Sequence, residues 1–329
     1  MKPAAKIKKT RNVKKIVLIT LLSVFIILNI IFISAGNYFY DIIINWPTTN
    51  SYAIGYEGEV AEGSFNIERF NSLEKESVSV DSRYDYQIKG LFIKNAVETK
   101  NTVILVHGIG QDKWNSLKYG DVFLDQGYNI FIYDGRSHGE TGGDGASYGY
   151  YEKVDLQSIV QYVKHKNPGG IIGLHGESLG ASTAMLYAET YAKDNDISFL
   201  IEDCGYSDLR ELYIGRAADF NIPTFLRPVL IEYLSFVCKV RSGFFLEDVS
   251  PIRDINKITV PILFIHGDSD NQNPTKMVYD LYNNKNTGIK TLYISQGANH
   301  AESLKVDKAR YKEEVVNFLN LVFKSGSGN

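Results

Sequence analysis

Cysteine is scarce in this chain of 329 residues, which contains only Cys204 and Cys238. Two cysteines cannot form the disulfide framework of a small secreted domain, and both fall in segments that could be buried. We therefore interpret them as free thiols. Neither lies near the apolar run at the N-terminus, so the sequence gives no support for a lipid anchor on cysteine.

Low-complexity stretches and internal repeats are also missing. A hydrophobic content of 44% and a charged content of 22% are typical of an ordinary globular protein rather than a disordered one. The length is enough for one large α/β domain, or two small ones, with a sizeable core.

Acidic residues are absent from positions 1–40, which contain seven Lys or Arg. The rest of the chain holds the other 28 basic residues against 38 acidic ones, a charge of −10 that the overall −3 conceals. The net negative charge of this larger part of the chain argues against a nucleic-acid partner.

Charged side chains are missing again from residues 16–35, and an apolar helix of that length crosses a bilayer of ~30 Å. A cleaved signal peptide is the alternative, but its apolar region usually has ~7–15 residues and a small-residue cleavage site follows it. Here the run is longer and residues 33–35 form only a weak site, which favours an uncleaved anchor. Because the basic tail 1–15 precedes the helix, the positive-inside rule predicts a single-pass cell-membrane protein with a cytoplasmic N-terminus and the remainder outside the cytoplasm.

Residues 36–74 mix aromatic and turn residues without a clear period, and we interpret them as a stalk and an N-terminal elaboration that packs on the main domain. From residue 75, short apolar strands alternate with amphipathic helices. The predicted strands are 77–82, 85–94, 102–107, 128–133, 170–175, 197–202, 260–266 and 289–294. The predicted helices are 115–126, 150–166, 178–193, 275–284 and 304–323. This alternation predicts an α/β fold with a mostly parallel, doubly wound sheet covered on both faces and an antiparallel start.

One serine stands in a distinctive turn, 174-LHGESLGAS-182, between a buried strand and a helix rich in small residues. Gly176 and Gly180 flank Ser178, which matches the G-x-S-x-G nucleophile elbow, a strained turn that lifts a serine hydroxyl above the sheet. The motif alone is weak evidence. Its place between strand and helix makes Ser178 a candidate nucleophile.

A serine nucleophile needs a histidine base, and folds with this elbow supply their residues in the order Ser, acid, His. Five of the six histidines precede either Ser178 or the acidic cluster at 268–270. The remaining one, His300, lies in a loop between the last predicted strand and the last helix. His300 is therefore the candidate base.

The acid is expected in the loop 266-HGDSDNQNP-274, where Asp268 and Asp270 both qualify and one of them can instead cap the turn. Two backbone N–H groups should stabilise an oxyanion, those of Leu179, directly after the serine, and of Ile109, in the loop after strand 102–107. An apolar strand followed by His-Gly occurs at His107, His175 and His266, which suggests a shared structural role for these histidines.

On these motifs the chain resembles the α/β-hydrolase superfamily over roughly residues 75–325. The matching segments are His107-Gly108-Ile109, 134-DGRSHGETGG-143, Gly-Glu-Ser-Leu-Gly, His-Gly-x-x-Asp at 266–270 and the Gly-x-x-His around His300. The pattern is similar to bacterial membrane-tethered hydrolases related to serine aminopeptidases, acyl-protein thioesterases and carboxylesterases. The resemblance implies that Asp270 is the acid. It also implies structural roles for Arg136 and His138, in a turn that departs from the usual pattern at Ser137 and Thr141.

The alternation breaks at 206–248, where the superfamily carries a helical cap over its site. Residues 209–248 are dense in Leu, Ile, Phe and Tyr. Such a cap packs on the core and can also line an acyl pocket.

The expected function is therefore cleavage of esters or thioesters through Ser178, Asp270 and His300, with a small-molecule or lipid-like acyl substrate. A serine peptidase, an acyltransferase and a non-catalytic binding protein of the same fold stay as alternatives. We expect neither a cofactor nor a metal ion, and the oligomeric state is left open.

Overall fold

One eight-stranded sheet organises the computed structural model, which describes residues 4–43, 52–192 and 196–324. The strands are β1 (Lys75–Asp81), β2 (Gln87–Ile93), β3 (Thr102–Val106), β4 (Asn129–Tyr133), β5 (Ile172–Glu177), β6 (Phe199–Asp203), β7 (Ile262–Gly267) and β8 (Lys290–Ser295). Their order is β1-β2-β4-β3-β5-β6-β7-β8. β2 pairs antiparallel with β1 and β4, and all other neighbours are parallel. The predicted sheet with an antiparallel start is confirmed.

Helices precede β1, follow β8 and occupy the connections from β3 onwards. They are α1 (Ala4–Ile43), α2 (Tyr52–Glu62), α3 (Ile67–Ser72), α4 (Gly120–Leu124), α5 (Glu152–Lys166), α6 (Leu179–Thr190), α7 (Leu209–Arg216), α8 (Arg227–Ser242), α9 (Pro251–Asp254), α10 (Lys276–Asn284), α11 (Ser303–Val306) and α12 (Lys308–Lys324). Short 3-10 helices cover Lys113–Tyr119, Thr224–Leu226, Leu246–Asp248 and Ile255–Lys257. Parts of some predicted segments lie outside the described residues, namely 1–3, 44–51, 193 and 325.

The two faces of the sheet bury separate apolar cores because successive strand residues point to opposite sides. In β3, Ile104 and Val106 join a core with α5, α6 and α10, whereas Val103 and Leu105 join a core with α4 and α12. Every residue of β3 is buried. The near-continuous apolar strands of the sequence thus follow from helices covering both faces.

The N-terminal apolar helix is longer than its apolar run. Its segment Val13–Ile43 is long and apolar enough to cross a membrane by length and composition. The expected anchor ended at residue 35, but the helix continues through residues 36–43. Tertiary packing explains the extension, because Gly36 lies against the backbone of Tyr233 and the side chain of Tyr40 is buried.

The rest of the predicted elaboration packs on the main domain. Phe65, Phe70 and Leu73, around the short helix α3, are buried in the core that contains α4 and α12. Tyr56 of α2 meets Trp114 edge-on, with ring centroids 5.1 Å apart.

The insertion between β6 and β7 is helical, as expected, and packs above the elbow. α8 carries Pro228 in its first turn and ends at Gly243, whose φ of 84° is the left-handed conformation that terminates helices. Leu212 of α7 and Leu234 of α8 are buried in one cluster with Leu179, the residue after the candidate nucleophile. The cap is therefore joined to the site by apolar packing.

Candidate active site

Ser178 occupies a strained turn between β5 and α6. Its φ of 54° and ψ of −114° lie outside the regions that non-glycine residues normally adopt. The turn brings helix and strands so close that a Cβ on Gly176 would lie 2.4 Å from the carbonyl oxygen of Gly180. A Cβ on Gly180 would lie 2.1 Å from that of Val106. Both glycines of the motif are thus required by backbone contact.

The structure brings the three predicted side chains into one hydrogen-bonded row. Ser178 Oγ lies 2.8 Å from His300 Nε2, and His300 Nδ1 lies 2.8 Å from Asp270 Oδ2. These residues come from the ends of β5, β8 and β7, which meet at one edge of the sheet because the strands are parallel. The row is the geometry in which a histidine accepts a proton from a serine while a carboxylate orients the ring.

Asp270 is buried and fixed on both oxygens. Its Oδ1 accepts the backbone N–H groups of Gln272, at 2.8 Å, and Asn273, at 2.9 Å. Burial acts to raise the pKa of this carboxyl, but hydrogen bonds from His266 and His300 outweigh it and hold the pKa below its ordinary range. Asp270 is therefore a carboxylate at neutral pH.

Asp268, the other candidate acid, lies on the exposed side of the same loop. Its Oδ1 accepts the backbone N–H of Gly297 at 2.7 Å, which joins this loop to the loop that carries His300. The structure records no contact between Asp268 and His300. The geometry thus distinguishes the two aspartates, because Asp270 belongs to the hydrogen-bonded row and Asp268 belongs to the turn.

The sequence predicted the backbone N–H groups of Leu179 and Ile109 as the oxyanion donors. Neither N–H has a hydrogen-bond acceptor among the described residues. The next N–H in the loop differs, because Gly110 donates to His138 Nε2 at 3.1 Å. Unpaired N–H groups beside a candidate nucleophile suit an oxyanion.

The other motif histidines hold loops in place. His107 Nε2 accepts the N–H of Gly135 at 2.8 Å, and His138 lies against the ring of His107 with centroids 5.1 Å apart. Burial lowers the pKa of His138, and that of His175, to about 3. Both rings are therefore neutral, which agrees with the structural roles expected for them.

Glu177 lies between Gly176 and Ser178 in the elbow, and the sequence analysis assigned it no role. It is buried and forms an ion pair with Lys118, accepts a hydrogen bond from Tyr119 at 2.5 Å and accepts another from Gln111 Nε2 at 2.7 Å. Burial acts to raise the pKa of Glu177, but the charge of Lys118 outweighs it and lowers the pKa. The signal in the sequence that could have indicated this role was a charged residue placed between an apolar strand and a buried serine.

Through Gln111, Glu177 also orders the loop that contains Ile109. Gln111 Oε1 accepts the N–H of Gly108 at 2.8 Å while its Nε2 donates to Glu177. The elbow and the loop of Ile109 are consequently connected by one side chain.

Cys204 lies next to the row and was read from sequence only as a free thiol. Its Sγ, a carboxylate oxygen of Asp270 and a ring nitrogen of His300 lie within 4.8 Å of one another. Burial raises the pKa of the thiol well above its ordinary value, so the thiolate that metals require is disfavoured. The cysteine fits a packing role.

A cavity of about 390 Å³ borders the loops of Ile109 and Gln272, within the ~300–1,000 Å³ typical of small-molecule sites, and Ser178, His300 and Asp270 are not among its lining residues. It reaches from the loop of Ile109 to Gln272, two residues after Asp270. Its lining is mostly apolar and consists of Phe39, Ile42, Ile43, Ile109, Gly110, Tyr148, Tyr213, Arg216, Ala217, Phe220, Leu230, Ile231, Leu234 and Gln272.

Comparison with known proteins agrees with this fold. The chain is 39% identical over 264 residues to the uncharacterized protein YqkD of Bacillus subtilis (strain 168), covering 80% of this chain and 85% of that protein. The model of the family described as serine aminopeptidase, S33, matches residues 97–201. The esterase Pf2001 of Pyrococcus furiosus superposes with a TM-score of 0.61 at 24% identity, over 76% of this chain and 93% of that chain. The chain belongs to the α/β-hydrolase superfamily.

A second solved α/β-hydrolase, the esterase EaEST of Exiguobacterium antarcticum, superposes with a TM-score of 0.55 at 17% identity, over 74% of this chain and 100% of that chain. At such identities the solved structures indicate a shared fold. The family match over 97–201 includes Ser178 and Ile109 of this hydrolase but ends before Asp270 and His300. The placement of those two residues therefore rests on the geometry described above.

Proposed function

We propose that the chain is a membrane-anchored serine hydrolase that cleaves carboxylic ester or thioester bonds through Ser178, His300 and Asp270. The observation that carries the proposal is the row of two 2.8 Å hydrogen bonds from Ser178 Oγ through His300 to Asp270. The strained elbow and the unpaired N–H groups of Ile109 and Leu179 support the same chemistry.

In the first step, Ser178 Oγ attacks the carbonyl carbon of the acyl group while His300 Nε2 takes the hydroxyl proton. Asp270 accepts from His300 Nδ1, which keeps Nε2 free as the base and stabilises the imidazolium that forms. The carbonyl oxygen becomes an oxyanion facing the N–H groups of Ile109 and Leu179. Collapse breaks the bond to the leaving alkoxide or thiolate, which takes the proton from His300, and an acyl-enzyme remains on Ser178.

In the second step, His300 removes a proton from a water molecule that attacks the acyl-enzyme. The tetrahedral intermediate collapses, the bond to Ser178 Oγ breaks, and the serine recovers the proton from His300. The products are a carboxylic acid and the alcohol or thiol released earlier. An alcohol that replaces water in this step would make the protein an acyltransferase.

Peptide hydrolysis is a second candidate because the matching family is described as serine aminopeptidase. An aminopeptidase must bind an α-ammonium group, which calls for a carboxylate near the scissile bond. None of the described side chains lining the cavity is Asp or Glu, and the charged one is Arg216. A cation in the lining of the cavity disfavours a substrate ammonium there, so we rank ester cleavage first.

The N-terminal segment supports the membrane part of the proposal. α1 contains a span that could cross a bilayer, and basic residues precede it. By the positive-inside rule we place the N-terminus in the cytoplasm and the catalytic domain on the outer side of the cell membrane.

Labelling of the full chain in detergent micelles with a fluorophosphonate probe tests the chemistry. We expect labelling of the wild type and none of Ser178→Ala, with Ser182→Ala as the matched control because Ser182 is a buried serine one turn further along α6. Ser182 Oγ bonds the backbone of Tyr206 and lies outside the row. Equal labelling of wild type and Ser178→Ala would refute the proposed nucleophile.

A further inference from the structure

The cavity beside the loop of Ile109 has an unusual wall, because part of it comes from the membrane-spanning helix. Phe39, Ile42 and Ile43, in the last two turns of α1, line the cavity together with side chains of the cap. The lining also includes Ile109 and Gly110, in the loop that carries a candidate oxyanion donor. One largely apolar space thus extends from the end of α1 to the loop of Ile109.

Specific contacts hold α1 in this place. Tyr148 donates a hydrogen bond to the backbone carbonyl of Ile43 at 2.7 Å. Tyr40 bonds Ser242 at the end of α8 at 2.5 Å, and the guanidinium of Arg241 lies 3.9 Å from the centroid of the Tyr40 ring. A helix that only tethered the domain would not need such contacts.

The contacts between α1 and α8 also define how α8 of the cap is oriented relative to α1. Tyr233 of α8 stacks on Phe32, with ring centroids 5.2 Å apart, and donates to Asn29 Oδ1 at 2.7 Å. Further along both helices, Arg241 pairs with Asp41 at 2.8 Å. The two helices therefore run in the same direction, and the beginning of α8 extends beside the apolar run 16–35.

Large apolar side chains are exposed at the start of α8 and in the segment that precedes it. Phe225 is 77% exposed, Phe220 is 48% exposed and Val229 is 40% exposed. Phe220 lies edge-on to Phe39, with centroids 5.0 Å apart, and both line the cavity. Large exposed apolar groups beside a membrane-spanning helix fit contact with lipid rather than water.

We propose that the space between α1 and the cap binds the long acyl chain of a membrane-resident lipid ester, which enters from the outer leaflet, and that the end of α1 determines chain-length specificity. This inference rests on the proposed ester hydrolysis at Ser178. The occupant is an acyl chain because the lining is largely apolar, its α1 wall is continuous with a bilayer span, and it includes residues of the candidate oxyanion loop.

A chain-length series tests the wall formed by α1. The full chain in detergent micelles is assayed with p-nitrophenyl esters from acetate to decanoate, as wild type, Ile43→Trp and Ile30→Trp. Ile30 is the matched control because it lies on the same helix, is 59% exposed and is absent from the cavity lining. Since each buried methylene changes the binding constant roughly fourfold, displacing two or three methylenes should lower the decanoate-to-acetate ratio of kcat/KM about tenfold or more in Ile43→Trp.

The control Ile30→Trp should keep the wild-type decanoate-to-acetate ratio of kcat/KM. Phe39→Ala, which enlarges the cavity, should raise that ratio. An unchanged ratio in both Ile43→Trp and Phe39→Ala, with Ser178 still labelled by a fluorophosphonate, would overturn the inference and leave the hydrolase proposal intact. Absence of both labelling and hydrolysis in the wild type would refute the two together.

The source of the acyl chain is tested in vesicles that contain the full-length protein and a long-chain ester. Phe225→Ser should lower the rate on this ester relative to a water-soluble acetate, because Phe225 is exposed at the cap and does not line the cavity. An unchanged ratio would show that the acyl chain comes from dispersed amphiphiles and would overturn entry from the bilayer.

Discussion

Replacing Asp270 by Asn tests the row more sharply than removing the side chain, because the structure dictates how the amide must sit. The backbone N–H groups of Gln272 and Asn273 both point at Oδ1, so the amide oxygen of an asparagine must stay there. Its NH2 group then faces His300 Nδ1, which must become the acceptor. The histidine proton moves to Nε2, and the ring can no longer take a proton from Ser178.

The wrong tautomer should lower kcat for an aryl ester by ~10⁴-fold, equivalent to about 5.5 kcal/mol of activation free energy. Asp268→Asn is the matched control and should stay within about tenfold of wild type, because Asp268 contacts Gly297 and not His300. The assay is steady-state hydrolysis by the full chain, with circular dichroism to confirm folding. An inactive Asp268→Asn beside an active Asp270→Asn would refute the assignment.

Three further outcomes are expected. Ser178→Ala and His300→Ala should each reduce aryl-ester turnover ~10⁴-fold or more, and the double variant should be no worse, because triad members act as a unit; near wild-type turnover in Ser178→Ala would rule out the elbow as the site. Burial raises the pKa of Glu202 to about 8, so its contribution to stability is complete below the ordinary value of 4.5 and is lost as the pH rises towards 8. Glu202→Gln should therefore gain up to about 1.4 kcal/mol of relative stability per pH unit between pH 5 and 8, measured by denaturant unfolding, and a pH-independent difference would contradict it. Protease added to intact cells should digest the catalytic domain, whereas protection until the membrane is broken would reverse the proposed orientation.

The sheet could be predicted from sequence because both of its faces are covered. Strands such as β3 are apolar at every position after the first, and helices such as α5 have an amphipathic period, so their bounds differ from expectation by only a few residues. Ser178 and His300 were predicted from local sequence and chain order, and the structure brings their side chains together. Asp270 needed either the family resemblance or the structure, because two residues along a loop decide which carboxylate meets the histidine.

Other features depended on contacts between distant residues, which a local pattern does not contain. The helix α1 passes residue 35 because Gly36, Tyr40 and Asp41 pack on α8, although their sequence reads as a polar and aromatic mixture. The role of Glu177 depends in the same way on Lys118 and Gln111, about sixty residues earlier in the chain.

The packing of α1 on α8 has a consequence for biosynthesis. Tyr40 and Ser242 are 202 residues apart in sequence. At synthesis rates of ~5–20 residues per second, the anchor waits about 10–40 s for its partner helix. In the proposed topology the bilayer shelters the apolar end of α1 during that interval, and closure of the cavity is a late step in maturation of the nascent chain.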